Sequence, residues 1–115
     1  RYPFLLLDRI CDLEPGKHAV ARRLVTTTDG FPHFLLIECV AQLAGIVVVQ
    51  QGDEGGFLAS IDHADFCGFP KAGDVLTVHA SVLKSFGRLC MIEGGVKMGS
   101  EQLLTVQLTL GVGKL

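Results

Sequence analysis

The hydrophobic pattern of the chain is dominated by one long apolar run, FLLIECVAQLAGIVVVQQ, at residues 34–51. It is apolar on nearly every side, which a buried helix and a buried strand have in common. Its length favours a helix, because residues 34–51 would span about 27 Å at the helical rise, well beyond a typical strand. Pro32 before the run and Gly52 after it are typical of a helix start and end. A helix that is apolar all round must be covered by other elements.

Strand patterns stand on both sides of this helix. Before it, the apolar residues 1–10 and the Ala-, Val- and Thr-rich residues 18–28 are separated by a turn signal, Glu14-Pro15-Gly16-Lys17, so we expect a hairpin. After it, Gly-rich turns separate four further predicted strands, residues 57–66, 74–86, 88–98 and 102–112. The order is two strands, one helix, four strands. This predicts a single α+β domain over residues 1–115, with an antiparallel sheet curled round the helix and covering all its apolar faces.

Composition adds limits to this picture. The 115 residues suit one domain, and 49% hydrophobic residues with a mean hydropathy of +0.44 is more apolar than usual, so we expect part of the surface to meet another subunit. A net charge of -2 without a basic run argues against nucleic-acid binding. Glu38 and Gln42 interrupt the apolar run, which argues against a membrane span. No secretory pattern opens the sequence, and a cytoplasmic location is expected.

The four cysteines stand alone in the sequence, with no C-x-x-C pair that would suggest a structural zinc site. Each lies in an apolar or strand-like context. We therefore expect buried, reduced thiols, and no metal or redox cofactor. The cysteines are Cys11, Cys39, Cys67 and Cys90.

Glu38 is the one acid inside the apolar helix, and Gln42 follows it one turn later on the same stripe. Burying an unpaired carboxylate is costly, and the usual relief is protonation or a hydrogen-bonding partner, both of which suit a general acid or base. The pattern is equally compatible with a solvated or ion-paired Glu38 at a helix end or subunit contact.

His33 stands at the predicted helix start, where free backbone N–H groups favour developing negative charge, such as that on a thioester oxygen. It is a candidate base, although a capping or packing role fits as well. The other three histidines lie in strand or turn contexts without obvious partners, and structural roles are expected for them: His18, His63 and His79.

Four segments in order, RYPFLLLDRI, LLIECVAQ, FLASID and KAGD, resemble the β-hydroxyacyl-ACP dehydratases over nearly the whole chain. The pairing of RYPFLLLDRI with LLIECVAQ is specific, although each piece alone is not. The resemblance implies the hotdog fold, in which a sheet wraps a central helix and two subunits join their sheets, with acyl tunnels at the dimer interface. Such tunnels would account for the apolar excess.

In the family, a His of one subunit removes the C2 proton of a 3-hydroxyacyl thioester, and a Glu on the partner's central helix assists departure of the hydroxyl. Glu38 holds that Glu position by motif, and Gln42 would support it. The implied partners are an acyl thioester, acyl-ACP or acyl-CoA, and a second copy in a homodimer or dimer of dimers. The residues expected to contact the acyl substrate are Phe34, Gln42, Phe57, Leu58 and Ala59.

The sequence departs from the family in two places. The family carries its catalytic His in a His-Phe-Pro-Gly segment well ahead of the helix, and here residues 30–34, GFPHF, are too short for it. His33 is a substitute by position only. Either this member has lost the loop, or residues are missing between Gly30 and Phe34. Basic residues usual after the Ile-Asp strand are replaced by DFCG at residues 65–68, which weakens the case for docking to an acidic carrier protein.

Three functions remain open on this basis. The leading one is a dehydratase-like enzyme of fatty-acid or lipid biosynthesis that eliminates water from 3-hydroxyacyl thioesters by acid–base chemistry, without metal or cofactor. The second is a hotdog thioesterase in which Glu38 activates water. The third is a non-catalytic dimer that binds acyl chains.

Overall fold

The described residues form six strands and one helix, in the order that the hydrophobic pattern predicts. The structure, a computed structural model, describes residues 7–25, 33–48 and 56–112. The predicted helix end at residues 49–51 and strand residues 26–28 lie outside these ranges. The elements are β1 (Arg9–Glu14), β2 (His18–Leu24), α1 (His33–Val48), β3 (Gly56–Phe66), β4 (Val75–Phe86), β5 (Leu89–Met98) and β6 (Glu101–Val112).

The strands form one antiparallel sheet in the order β1-β2-β4-β5-β6-β3. β3 precedes β4 in the chain but pairs with β6 at the far edge, so the segment that contains α1 connects strands on opposite sides of the sheet. One edge is β1 and the other is β3. The unpaired side of β3 therefore offers backbone N–H and C=O groups to another chain.

The β1–β2 hairpin forms at the predicted turn and also secures the helix. Gly16 has a φ of 79°, a left-handed conformation that glycine adopts without steric cost. Its backbone N–H donates to the carbonyl oxygen of Val47, in the last turn of α1, at 2.8 Å. The turn thus satisfies a carbonyl that has no partner within the helix.

The helix packs into the concave face of the sheet, where the strands alternate as predicted. β6 alternates core and outward positions, with Leu104, Val106, Leu108 and Leu110 buried against α1. The helix lies close to Gly94 of β5. A methyl group built there would lie 2.5 Å from Val40 Cγ1 and 2.7 Å from the His79 carbonyl oxygen. The contact between helix and sheet therefore requires glycine at this position.

The sheet does not cover the whole helix, contrary to the expectation from the sequence. Phe34 and Ile46 remain 64% and 40% exposed. A single curved sheet contacts one side of a cylinder, so the side of α1 away from the strands stays open. We call this exposed side, formed by Phe34, Glu38, Gln42 and Ile46, the open stripe. Within the described ranges, no helix has the length and apolar character needed to cross a bilayer.

The expectation that all four thiols are buried is wrong for two of them. Cys39 is buried and Cys90 half-buried, but Cys11 and Cys67 are exposed. Cys11 lies on the edge strand β1, whose side chains are all exposed, and Cys67 follows the end of β3. Burial raises the pKa of the Cys39 thiol to about 12, so it stays protonated and unreactive at neutral pH.

Candidate active site

The open stripe of α1 carries the two polar side chains that the sequence singled out. Glu38 and Gln42 are both half-buried and lie one turn apart, as predicted from their spacing. Phe34 precedes Glu38 by one turn and is exposed. The structure therefore brings a carboxyl, an amide and an aromatic ring onto one open side of the helix.

The Glu38 carboxyl is available to a ligand. Within residues 7–25, 33–48 and 56–112 its side chain forms no hydrogen bond or ion pair. Charged groups near this end of the helix include Arg23 and Asp8, both of which act electrostatically on the neighbouring Cys39. Asp8 is engaged elsewhere, since its Oδ2 accepts a hydrogen bond from the Leu24 backbone N–H at 2.6 Å. Among the residues that the structure describes, Glu38 is thus a half-buried acid without a hydrogen-bond or ion-pair partner.

His33 is the first residue of α1, as expected, and lies five positions before Glu38. The first N–H groups of a helix have no partner within it, so they point towards any oxygen placed at this end. The His33 side chain lies outside the described residues. Its role as a base stays a prediction.

The predicted acyl contacts lie at the start of the edge strand β3. Phe57 is half-buried, and its ring lies across Gly111 of β6, where a methyl group would overlap it. Leu58 is 37% exposed and Ala59 is exposed beside a shift in the β3–β6 register. The helix packs against β3 among other strands. Among the described residues, Leu58, Ala59 and Phe34 are exposed, and Phe57 is half-buried.

A second polar site lies on the opposite, outer face of the sheet and was missed by the sequence reasoning. It is a cleft of about 420 Å³ that crosses four strands. The signal was present as alternate polar positions on the last three strands, but pairing between distant strands was needed to assemble it. Its polar lining consists of His63, His79, Glu93, Lys97, Gln102, Thr105 and Gln107.

Two of the histidines expected to lack partners have carboxylates beside them. His63 Nε2 lies 2.8 Å from Asp65 Oδ2, because residues two apart on a strand point to the same side. His18 Nε2 lies 3.2 Å from Glu14 Oε1 across the β1–β2 hairpin. These contacts could not be read from the sequence, and structural roles for both histidines stay a prediction. Within the described ranges, no group of three or more His, Cys, Asp or Glu side chains is arranged to hold a metal ion.

His79, in the outer cleft, gives a prediction about pH and stability. Burial lowers the pKa of its imidazole, and the Lys97 ammonium adds to this. As pH falls below about 6.5, the unfolded chain takes up the proton before the folded one does, so folding stability falls until the folded pKa is passed. We expect the free energy of unfolding to drop between about pH 7.5 and 5, and to drop less in His79→Gln. Urea denaturation at both pH values measures the free energy of unfolding. An equal decrease in the wild type and in His79→Gln would contradict the role of His79 in this pH dependence.

Known proteins of similar structure indicate the fold class of this chain. By structure, the chain is similar to the dehydratase heterocomplex ApeI:P of Xenorhabdus doucetiae (TM-score 0.82, 17% identity, 96% of this chain and 84% of that one). It is also similar to a hypothetical thioesterase with coenzyme A of Streptococcus pneumoniae (TM-score 0.78, 17% identity, 90% and 86%). At these identities the likeness concerns the fold alone. A sheet wrapped round one helix, with these neighbours, makes the chain a hotdog-fold α+β protein, as expected.

Curated relatives identify the family. The chain is 32% identical to the 3-hydroxyacyl-[acyl-carrier-protein] dehydratase FabZ of Pediococcus pentosaceus, over 98% of this chain and 85% of that protein. It is 36% identical to FabZ of Caldanaerobacter subterraneus, over 94% and 86%. No family model matches. The chain belongs to the FabZ family of 3-hydroxyacyl-[acyl-carrier-protein] dehydratases, which confirms the resemblance.

These alignments also bear on the short segment before the helix. The alignment with the Pediococcus protein runs over 127 positions while including 98% of this 115-residue chain. The relative therefore has residues without a counterpart here. That is consistent with a family loop that this sequence lacks between Gly30 and Phe34.

Proposed function

We propose that this FabZ-family protein dehydrates 3-hydroxyacyl thioesters, with Glu38 as the general acid. The observation that carries the proposal is the placement of Glu38. It is a half-buried carboxyl, without a described hydrogen-bond partner, on the open stripe of the central helix. General acids in enzymes are positioned groups of this kind. A carboxyl held in a hydrogen bond of the fold could not exchange its proton freely.

The reaction divides between two groups. A base removes a proton from C2 of the 3-hydroxyacyl thioester, and the electron pair forms the C2–C3 double bond. The C3–O bond breaks, and the hydroxyl leaves as water with a proton from Glu38. Negative charge builds on the thioester oxygen while the C2 proton departs, and the free N–H groups at the start of α1 would stabilise it. Gln42, one turn beyond Glu38, would support the carboxyl.

His33 is the proposed base. It begins α1, beside the N–H groups that would hold the thioester oxygen, and the C2 proton is one carbon away from that carbonyl. An imidazole at the positive end of a helix favours its neutral form, which is the form that accepts a proton.

A second copy would complete this site. The open stripe and the unpaired edge strand β3 leave apolar side chains in solvent, including Phe34, Leu58 and Phe66. Pairing β3 with its counterpart in another copy would satisfy the free backbone groups and wall off the acyl chain. We therefore propose a homodimer as the active unit. A cytoplasmic location is part of the same proposal.

The negative charge on β3 bears on whether the acyl group is delivered by coenzyme A or by an acyl carrier protein. Asp62 accepts hydrogen bonds from the Ser60 and Thr109 hydroxyls at 2.7 and 2.8 Å, which lowers the pKa of its carboxyl and keeps it ionised. Asp65 lies on the same strand. An acidic carrier protein would meet like charge along this edge. We propose that the protein acts on acyl-CoA at least as readily as on acyl-ACP.

The test is hydration of crotonyl thioester by the purified protein, with crotonyl-CoA and crotonyl-ACP compared at equal concentration. We expect loss of the enoyl absorbance, no release of free thiol, and a kcat/KM for the CoA substrate that matches or exceeds that for the ACP substrate. Release of thiol would identify a thioesterase instead. Copurified acyl ligand without turnover would identify an acyl-binding protein.

A further inference from the structure

The outer face of the sheet carries a charge pattern that is complementary to itself. Three parallel rows of side chains cross β4, β5 and β6, as the strand registers show. On β5 the rows are marked by Glu93, Gly95 and Lys97, which all point away from the helix. The rows are Ser81–Glu93–Gln107, His79–Gly95–Thr105 and Thr77–Lys97–Gln102.

The two charged rows lie on either side of the central one. Glu93 and Lys97 are both exposed, and about 13 Å of extended strand separates them. In the central row, Gly95 has no side chain, and His79 Nε2 and Gln102 Nε2 fold over it. A methyl group on Gly95 would lie 2.9 and 2.7 Å from these two atoms. Because Gly95 has no side chain, the middle of the face lies lower than the rows beside it. One of these rows carries a negative position and the other a positive position.

A two-fold axis along the central row would pair opposite charges. Such an axis lies between two facing sheets and reverses the strand direction while keeping each strand opposite its own copy. Glu93 of each copy then meets Lys97 of the other, and an isologous interface makes every such contact twice. The same operation brings Gln107 to Gln102 and Ser81 to Thr77, amide to amide and hydroxyl to hydroxyl.

We infer that the outer face binds a second copy of this chain, back to back, through reciprocal Glu93–Lys97 ion pairs about the His79–Gly95–Thr105 row. Two sheets pack face to face at about 10 Å with their strands nearly aligned. The shallow centre at Gly95 and the cleft of about 420 Å³ leave room for side chains of the partner.

The side chains on the two-fold axis can lie beside the same side chains of the second copy without strong repulsion. Burial lowers the pKa of His79, so both imidazoles are uncharged at neutral pH. Thr105 hydroxyls can donate and accept to one another. Asp65, which continues the central row on β3, is exposed at the rim, where water weakens its repulsion.

This contact is separate from the proposed reaction, because it uses the face of the sheet opposite α1 and leaves β3 and the open stripe free. A twofold change in particle mass is expected whether or not the chain also pairs through β3. Failure of the back-to-back contact and failure of the dehydratase proposal are thus distinguishable by mass and by activity.

The experiment is a set of charge reversals measured by light scattering after size exclusion, at low salt. We expect Glu93→Lys and Lys97→Glu each to halve the particle mass of the wild-type protein, because each places like charges opposite one another. The double variant Glu93→Lys/Lys97→Glu should regain the wild-type mass. An equimolar mixture of the two single variants should regain it too, because a doubly positive face then meets a doubly negative one.

Two outcomes would overturn the inference. One is a wild-type mass equal to that of the single variants, which leaves the face to another partner or to solvent. The other is loss of mass in the single variants without recovery in the double variant or the mixture. Circular dichroism and thermal unfolding of each variant show that any change in mass is not a loss of folding, and Lys84→Glu, an exposed reversal on β4 outside the three rows, should keep the wild-type mass.

Discussion

Glu38→Gln is expected to lower kcat for dehydration by about 10²- to 10⁴-fold, the range that general acid–base catalysis contributes. The amide keeps the shape of the carboxyl but cannot give a proton to the departing hydroxyl. Since Glu38 has no hydrogen-bond partner among the described residues, the change removes no hydrogen bond within that part of the fold. We expect the free energy of unfolding to stay within about 0.5 kcal/mol of the wild type, as for a substitution that breaks no packing or bonding.

Glu101→Gln is the matched control. It makes the same change of charge on an exposed side chain at the start of β6. Its kcat should equal that of the wild type. Steady-state kinetics of crotonyl-thioester hydration compare the three proteins, and a Glu38→Gln protein as active as Glu101→Gln would rule out Glu38 as the acid.

Gly94→Ala is expected to give the largest loss of stability. The added methyl group would lie 2.7 Å from the backbone carbonyl oxygen of His79 on β4 and 2.5 Å from Val40 Cγ1 on α1. The Val40 side chain can rotate away, but the His79 carbonyl is fixed by the hydrogen bonds between β4 and β5, so the paired strands must be distorted locally. We expect a loss of about 3 kcal/mol in the free energy of unfolding, the upper part of the usual range for overpacking.

Gly45→Ala tests whether the effect belongs to the helix–sheet contact. Gly45 lies within α1 on the side away from the sheet, and nothing described comes within 4 Å of a methyl group there. Alanine is the better helix former by up to about 1 kcal/mol, so this variant should be as stable as the wild type or more so. Urea unfolding measures both, and a Gly94→Ala protein as stable as Gly45→Ala would contradict the described packing.

The fold was largely readable from local features of the sequence. The length of the apolar run at residues 34–51 distinguished helix from strand, and the helix is found at His33–Val48. Alternation and turn signals placed β3 to β6 to within a residue, because each pattern is confined to one segment. The first strand was expected within residues 1–10 and is found at Arg9–Glu14. The stripe that joins Glu38 and Gln42 also follows from spacing along a single element.

What escaped prediction depends on which segments become neighbours. The outer cleft needs β3 beside β6, a pairing between strands far apart in the chain. It also needs the register of the β4–β5 hairpin that places His79 beside Gly95. The burial of individual side chains was mispredicted for the same reason. Cys11 sits in a strand-like sequence, but β1 is an edge strand and leaves it exposed. Phe34 begins an apolar helix, yet one protomer leaves it open.

Only the part of the candidate site that lies on one element, the central helix, was predictable from the sequence. Glu38 was found because a single acid in an apolar helix is visible in the sequence. The groups that would face it come from the helix start and from a second copy, and neither follows from spacing. The open stripe supports the proposed second copy, since exposed apolar side chains grouped beside a half-buried acid are typical of an interaction surface.

The central claim, that this protein adds and removes water at C3 of an acyl thioester, is tested most directly by the fate of labelled oxygen. Crotonyl-CoA is incubated with the protein in water enriched in the heavy isotope of oxygen, and the products are analysed by mass spectrometry. We predict the label in the C3 hydroxyl of 3-hydroxybutyryl-CoA, with the thioester intact. Label in a free carboxylate, with coenzyme A released, would contradict the account.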